Sequence, residues 1–266
     1  MPSPPEPRQL TIVGGGNMGA ALLGGLLDSA VIAPAAVAVV EVLDSRRSEL
    51  AALFPGVLVT DEVPPTRAAL VAVKPGDVPA AAAAAAAAGA TRILSIAAGV
   101  RVATIEAAVG AGVAVVRAMP NTPALVRLGA SAIAPGTTAA DDDVAWAESI
   151  LSAVGTVERM SERDLDLFTA VAGSGPAYVF FVAEALTEAA VADGMSPVVA
   201  ERVVRQLMLG SATLLDREGD PTTLRERVTS PGGTTAAGLA VLAERGVGDA
   251  VAAAVAAATE RSRELG

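Results

Sequence analysis

The chain contains no cysteine and no histidine, and only one tryptophan, one tyrosine and four phenylalanines among 266 residues. Without cysteine there is no disulfide framework, no thiol nucleophile and no thiolate zinc site. Without histidine there is no Ser-His-Asp triad, no imidazole general base and no imidazole metal ligand. Lysine is nearly missing as well: Lys74 is the single one among 19 basic residues. Positive charge is in short supply, since 29 acidic residues leave a net charge of −10. That balance argues against a nucleic-acid surface, which normally carries a basic patch, and fits a soluble, cytoplasmic protein. Long hydrophobic runs are missing too. Alanine is the commonest residue in the 52% hydrophobic content, and the long uncharged stretch Leu167 to Ala183 is interrupted by Gly173-Ser174-Gly175-Pro176. It falls short of the about 20 apolar residues that span a bilayer, so it reads as two soluble elements meeting at a turn, with no membrane partner. Met1 to Arg8 is proline-rich and carries Glu6. It lacks the basic and apolar regions of a signal peptide and reads as a disordered tail.

The first part of the chain alternates between two kinds of segment. Short apolar or β-branched runs stand at Leu10–Val13, Val37–Val42, Val57–Thr60, Ala69–Val73, Ile93–Ile96 and Val113–Arg117, with helical patterns between several of them. The nine consecutive alanines Ala80–Ala88 form one of these helices, capped by Gly89, because alanine is the best helix former and glycine ends helices well. Strand and helix in this rhythm mean a doubly wound parallel sheet. The rhythm changes near Glu158–Arg163. Beyond it the patterns 177–193, 197–215, 222–228, 234–245 and 248–263 are all helical. The reading is therefore α/β, with an N-terminal Rossmann-like domain over residues 8–160 and an all-helical domain over 161–266.

Gly14-Gly15-Gly16-Asn17-Met18-Gly19 fits G-x-G-x-x-G and lies directly between the first strand and the first helix. In that position the first glycine permits the tight turn, the second admits a pyrophosphate, and the third lets helix and strand pack closely. The helix N-terminus offers unpaired N–H groups and the positive dipole end. Gly14, Gly16, Asn17, Met18 and Gly19 are thus cofactor-binding candidates. Glu41 stands 22 residues after Gly19, where an acid binds the ribose of NADH. Ser45, Arg46 and Arg47 follow it, and arginines there suit the extra phosphate of NADPH. The arginines put NADPH first, and NADH remains open. Lys74, in Val73-Lys74-Pro75, stands at the carboxyl end of the fourth strand, the edge at which open α/β sheets bind ligands. It reads as a positioned ammonium near cofactor or substrate.

Four further motifs occur in order: Val73-Lys74-Pro75, Met119-Pro120-Asn121-Thr122-Pro123, Gly173-Ser174-Gly175-Pro176-Ala177-Tyr178, and Thr229-Ser230-Pro231-Gly232-Gly233-Thr234-Thr235. With the glycine loop, they resemble pyrroline-5-carboxylate reductases over about Gln9 to Leu265. The Ser-Pro-Gly-Gly-Thr-Thr element is the most specific part, and the glycine loop is common to many dehydrogenases. The resemblance implies a C-terminal helical dimerisation domain, reduction of the cyclic imine by NAD(P)H to L-proline, and interlocked chains in a homodimer at least. Dimers often form larger rings in the family. Val73, Lys74, Pro75, Ser45, Arg46 and Asn121 are then cofactor-side residues. Two positions depart from the family pattern: Asp61-Glu62 follow the third strand where an Asn is common, and Arg67 opens the fourth strand where an Asp is common.

The last motif also has a chemical reading of its own. Ser230 is a good N-cap, Pro231 suits a first helical turn, and Gly232 and Gly233 let a ligand approach the backbone. A helix start of this kind is an anion site. The expected arrangement holds a substrate carboxylate on Ser230, Gly232 and the amides of Gly233 and Thr234, with the Thr235 hydroxyl on the ring nitrogen. Thr235 and Lys74 are the catalytic candidates. A protonated imine is already electrophilic, so a chain without His or Cys suffices; its task is orientation and electrostatics. Glu218 could support Thr235 but reads more simply as a solvated loop carboxylate. Tyr178 and Trp146 read as packing residues. Asp141-Asp142-Asp143 resembles a metal cluster but reads as a helix start, where acids favour the dipole. Two alternatives remain. A β-hydroxyacid dehydrogenase would need a lysine in the second domain, and a non-catalytic nucleotide sensor would have no need of the 230–235 element.

Overall fold

The structure, a computed structural model, describes residues 6–266. The part of the expected tail covering residues 1–5 lies outside the described residues. Arg8 is not tail: its N–H donates to the Pro65 carbonyl at 2.8 Å, and it bridges Thr66 beside the sheet. The chain forms two compact units. One runs to Ser174 and takes back Ala258–Gly266, and the other is Gly175–Ala257. The division thus falls later than the change of rhythm at 160/161. Ser174 ends a segment that the sequence rhythm assigned to the helical part, and the last helix turns return to the first unit.

The first unit is built on an eight-stranded sheet of order β3-β2-β1-β4-β5-β6-β7-β8. Its strands are β1 Leu10–Val13, β2 Val37–Val40, β3 Leu58–Thr60, β4 Ala68–Val71, β5 Arg92–Ser95, β6 Ala114–Met119, β7 Gly129–Pro135 and β8 Gly155–Arg159. Strands β1 to β6 are parallel; β7 runs antiparallel to β6 and parallel to β8. The expected doubly wound parallel sheet is thus present, with one antiparallel pairing, β6 to β7, added towards its edge. Both added strands have a physical reason for having been missed. Strand β7, Gly-Ala-Ser-Ala-Ile-Ala-Pro, is made of small residues with low strand propensity. Strand β8, Gly-Thr-Val-Glu-Arg, is a half-exposed, polar edge.

Helices α1 Asn17–Asp28, α2 Asp44–Leu53, α3 Val78–Ala87, α4 Val102–Val109 and α5 Asp141–Leu151 cover the sheet. One face packs Leu22, Leu23 and Leu26 of α1, Leu50 of α2 and Ile150 of α5 against Ile12, Leu70 and Leu94. The other packs Val78, Ala82 and Ala85 of α3 and Ile105 of α4 against Ala69, Val71, Ile93 and Val115. The alanine run thus serves as a slim helix lying close to the sheet. Helix α5 begins at Asp141, as expected of the acidic triplet; the Asp143 carboxylate accepts the Ala140 N–H at 3.0 Å. Trp146 packs on the first core, with the Arg92 guanidinium 5.5 Å from its ring centroid.

After β8 the chain forms α6 Leu165–Phe168 and a π-helical turn, Thr169–Gly173. Two ion pairs bind this stretch to the sheet and to α4. Arg117, 2% exposed, donates to Glu162 at 3.0 Å, and the same carboxylate oxygen accepts the Val102 N–H at 2.7 Å. Asp166 accepts from Arg101 at 3.1 Å and from the Ser262 hydroxyl at 2.8 Å.

The second unit comprises α7 Gly175–Ala192, α8 Pro197–Glu218, α9 Pro221–Arg227, α10 Thr234–Glu244 and most of α11 Val247–Leu265. Helices α7 and α8 pack together, yet Phe180 and Phe181 stay 67% and 68% exposed, and Val179, Leu207, Leu214, Val241 and Val251 are exposed as well. The helical run Glu162–Ala192 is long and apolar enough to cross a membrane, by length and composition alone.

Glu162→Ala is expected to lower the unfolding free energy by about 2 to 3 kcal/mol, because it strands a buried guanidinium without its partner. Urea unfolding of the two proteins measures the difference, and an unchanged midpoint would show that the pair contributes nothing.

Candidate active site

The glycine loop joins the carboxyl end of β1 to α1, at the point where β1 lies between β2 and β4 and the strand order reverses. That is where open α/β sheets bind ligands. Gly14 has φ +110°, and a Cβ there would stand 2.5 Å from the Ala72 carbonyl oxygen. A Cβ on Gly19 would overlap the Gly14 carbonyl. At Gly16 a Cβ would meet nothing within 4 Å. The first and third glycines are therefore required by the protein's own packing, whereas the second faces open space that a ligand can occupy. The first bond inside α1 runs from the Ala20 N–H to the Gly16 carbonyl at 2.9 Å, so the N–H groups of Asn17, Met18 and Gly19 have no partner within the helix. A pyrophosphate fits this cradle.

The loop is braced from β2 and α2. Both oxygens of Glu41 accept backbone N–H groups, of Gly15 at 3.2 Å and of Leu43 at 3.0 Å. The Arg46 Nε donates to the Gly15 carbonyl at 2.8 Å and its Nη1 to Glu49 at 2.8 Å. Arg47 is bound to the Glu41 and Val42 carbonyls and to Asp44. Glu41, expected as a ribose ligand, is thus first a brace of the loop. Ser45 is exposed on the first turn of α2 beside Arg46. Arg46 and Arg47 thus both have protein partners, and the Ser45 side chain has none among the described residues.

Lys74 lies in the loop beyond β4, which ends at Val71, not at the end of the strand itself. Its backbone is extended, its carbonyl accepts the Asp77 N–H at 2.9 Å, and it caps the 3-10 turn Pro75–Asp77. Its ammonium is exposed and makes no hydrogen bond among the described residues. Val73 is half-buried against the second core cluster, and Pro75 is exposed. Asn121, expected on the cofactor side, is 8% exposed; its Nδ2 donates to the Ala172 carbonyl at 3.0 Å, and its Oδ1 accepts the Ala130 N–H at 2.9 Å. One amide N–H and one lone pair of the oxygen are left over.

In the second unit the structure re-registers the 229–235 motif. The expected N-cap Ser230 is not the cap: α10 begins at Thr234 and Gly233 caps it. The Gly233 N–H donates to the Ser230 carbonyl at 3.0 Å, and Gly232 has φ +71°. Pro231 and Gly232 are thus the two central residues of a tight turn, the proline–glycine order that a positive φ at the second position demands. The N–H of Gly233 is consumed, whereas those of Thr234, Thr235 and Ala236, the first turn of α10, have no partner within the helix. A Cβ at Gly232 would meet nothing within 4 Å, whereas one at Gly233 would stand 2.5 Å from the Ser230 Oγ. Thr234 and Thr235 are exposed. Upstream, the Asp220 carboxylate caps α9 by accepting the Thr222 and Thr223 N–H groups at 3.2 and 3.1 Å. The Thr223 hydroxyl, foremost, holds its carboxyl below the usual range, so the cap is present at neutral pH and is lost as pH falls through that lowered value. Glu218, expected to be a solvated carboxylate, is ion-paired with Arg227.

A sequence family described as pyrroline-5-carboxylate reductase dimerisation matches residues 162–265. Over nearly the whole length, the chain is 40% identical to the pyrroline-5-carboxylate reductase of a Synechocystis species, covering 97% of this chain and 98% of the relative. It is also 40% identical to that of Mycobacterium tuberculosis, covering 97% and 96%. The chain belongs to the pyrroline-5-carboxylate reductase family. Among solved structures, that of the Coxiella burnetii reductase is 33% identical with a TM-score of 0.90, covering 98% of this chain and 99% of the other. The Plasmodium falciparum enzyme with NADP bound is 26% identical with a TM-score of 0.84, covering 97% and 98%. Membership explains the exposed apolar side chains of α7 and α8. They belong to the region that matches a dimerisation family, so the apolar run Glu162–Ala192 is accounted for by a homo-oligomer.

The brace on Gly15, the bonds of Asn121 and the two ion pairs of the 162–166 stretch were not read from the sequence. All join residues far apart in the chain, with no local spacing to mark them. A groove of about 590 Å³ lies at the opposite, amino ends of β1, β4 and β5, beside Arg67 and Trp146, away from the glycine loop.

Gly16→Ala is expected to leave the melting temperature unchanged while raising the Kd for NADPH by about tenfold or more. Gly19→Ala is expected to destabilise the fold itself. Calorimetry and fluorescence titration separate the two, and unaltered NADPH binding in Gly16→Ala would remove the loop from cofactor recognition.

Proposed function

We propose that the protein reduces pyrroline-5-carboxylate to L-proline with NADPH, NADH serving as the alternative donor. The observation that carries this reading is the coexistence of two open cradles in one family member: the space over Gly16 at the start of α1, and the exposed 230–235 turn at the start of α10. When bound, the reduced nicotinamide supplies the hydride. The chain's own residues bind and orient. Gly14, Gly16, Asn17, Met18 and Gly19 receive the pyrophosphate through the first N–H groups of α1. Ser45 and Arg46 take the 2′-phosphate, and Val73, Lys74 and Pro75 border the cofactor, with the Lys74 ammonium near its negative charge.

The Ser230–Thr235 element holds the substrate. Ser230, with the first N–H groups of α10, faces the carboxylate, and Gly232 and Gly233 keep that surface clear of side chains. The Thr235 hydroxyl accepts a hydrogen bond from the ring N–H⁺ of the protonated imine. Hydride adds to the imine carbon, the C=N π electrons move to nitrogen, and the product is the neutral secondary amine of the ring. No protein group changes protonation, which suits a chain with neither His nor Cys. The homo-oligomer is a dimer at least, and we assign further assembly into rings of dimers and a cytoplasmic location on the strength of the family and the acidic composition.

Steady-state oxidation of NADPH and NADH with pyrroline-5-carboxylate tests the reading, with proline as the product to be detected; absence of turnover with both cofactors would refute it. Thr235→Ala is expected to reduce kcat/KM by about a hundredfold, with the circular dichroism spectrum unchanged. Arg46→Ala is expected to lower the NADPH-to-NADH ratio of kcat/KM by about tenfold. The ratio cancels any loss from the brace on Gly15, and an unchanged ratio would move the 2′-phosphate contact elsewhere.

A further inference from the structure

Asn121 stands where three segments of the first unit meet, and its carboxamide joins all of them. Its own backbone carbonyl accepts the Ala124 N–H at 3.1 Å, opening the 3-10 turn Thr122–Val126 after β6. Its Oδ1 accepts the N–H of Ala130, near the start of the antiparallel strand β7. Its Nδ2 donates to the carbonyl of Ala172, inside the π-helical turn Thr169–Gly173. Only one orientation of the amide works, because a flip would set the NH₂ against an N–H and the oxygen against a carbonyl. The residue is 8% exposed, so a lost bond is not replaced freely by water.

The partner of Nδ2 is the informative one. π turns are rare and are frequently found at functional sites. Here the turn closes with the Ser174 N–H on the Thr169 carbonyl at 2.8 Å. Gly173 packs against the loop from the other side, where a Cβ would stand 2.9 Å from Met119 Cε. Ser174 is the last residue of the first unit before Gly175 opens α7. The end of β6 thus grips the turn from which the chain leaves for the unit that carries Thr235.

We infer that Asn121 is a positioning residue for the reaction: by donating to Ala172 it locks the π turn to the loop after β6, and so keeps that loop, at the carboxyl edge of the sheet, in the shape that hydride transfer needs. The inference rests on the function proposed above. It separates two quantities that a cofactor ligand would change together. Among the described residues no hydrogen bond joins Asn121 to the glycine loop or to Arg46, so NADPH binding is unaffected when the carboxamide is altered, whereas kcat falls.

The test uses Asn121→Ala, Asn121→Asp and Gly173→Ala in the full chain. In Asn121→Ala, kcat falls by about ten- to a hundredfold, the scale of a small misplacement, while the Kd of NADPH by fluorescence titration stays within about twofold. Hydrogen–deuterium exchange in peptides covering 165–180 speeds up. In Asn121→Asp the ionised carboxylate faces the Ala172 carbonyl and cannot donate, but the protonated acid can. The kcat of this variant relative to wild type therefore rises as pH is lowered through the titration of a buried carboxyl, above the ordinary value of about 3.9. Gly173→Ala disturbs the same turn from its other side, leaving Asn121 intact, and lowers kcat with the same unchanged NADPH affinity. It keeps the question answerable if the Asn121 variants fold poorly. A raised NADPH Kd with kcat preserved would overturn the inference in favour of a direct cofactor contact, as would wild-type kcat in Asn121→Asp across the whole pH range. Wild-type protein without turnover refutes the reductase reading instead; the exchange of 165–180 in Asn121→Ala then still decides whether the lock exists.

Discussion

The close approach of α1 to β1 is the constraint on which the rest of the molecule depends. Helix and strand can meet this tightly only because Gly19 places no Cβ against the Gly14 carbonyl and Gly14 adopts a positive φ. That contact sets the direction of α1, presents the N–H groups of Asn17, Met18 and Gly19 at the switch point of the sheet, and leaves Gly16 bare. Everything around it serves to keep the loop in that shape. Glu41 and Arg46 grip Gly15 by its N–H and its carbonyl, so the loop is rigid before any ligand arrives. Preorganisation of this kind lowers the entropy lost on binding.

The second unit follows a different logic. Its helices leave Phe180, Phe181, Leu207 and Val251 in solvent, a surface that a single chain cannot bury and a second copy can. The same unit carries the turn 230–233 and the start of α10. Stability of the second unit is therefore tied to association, whereas the first unit owns its core on both faces of the sheet.

Where the residues' types suffice, the sequence and the structure agree. The six parallel strands, the glycine loop and the five helices of the C-terminal half follow from β-branched runs, helical spacing and glycine punctuation. The agreement is loosest where the signal is weak. Strand β7 has almost no β-branched residues, and β8 is a polar edge; β7 is a strand because β6 offers an unpaired side to bond to, and β8 because β7 then offers the next. The start of α10 illustrates a subtler difference. Ser230 and Pro231 have the chemistry of a cap and a first turn, but a Pro-Gly pair has a competing use in a tight turn, and the chain takes that use, moving the helix start to Thr234.

The sequence by itself determined the class of the protein: the absence of His and Cys leaves binding and orientation as its chemistry, and the ordered motifs name the family. Only the tertiary structure decided which polar side chains are available to ligands. Glu41, Arg46, Arg47 and Asn121 have the residue types of cofactor ligands and are engaged in holding loops, whereas the side chains of Ser45 and Lys74 are exposed. The reason is that a hydrogen-bonding group is defined by what faces it. The partners of Asn121, Ala130 and Ala172, lie 9 and 51 residues along the chain. They offer only backbone groups, which every residue carries and no sequence pattern marks.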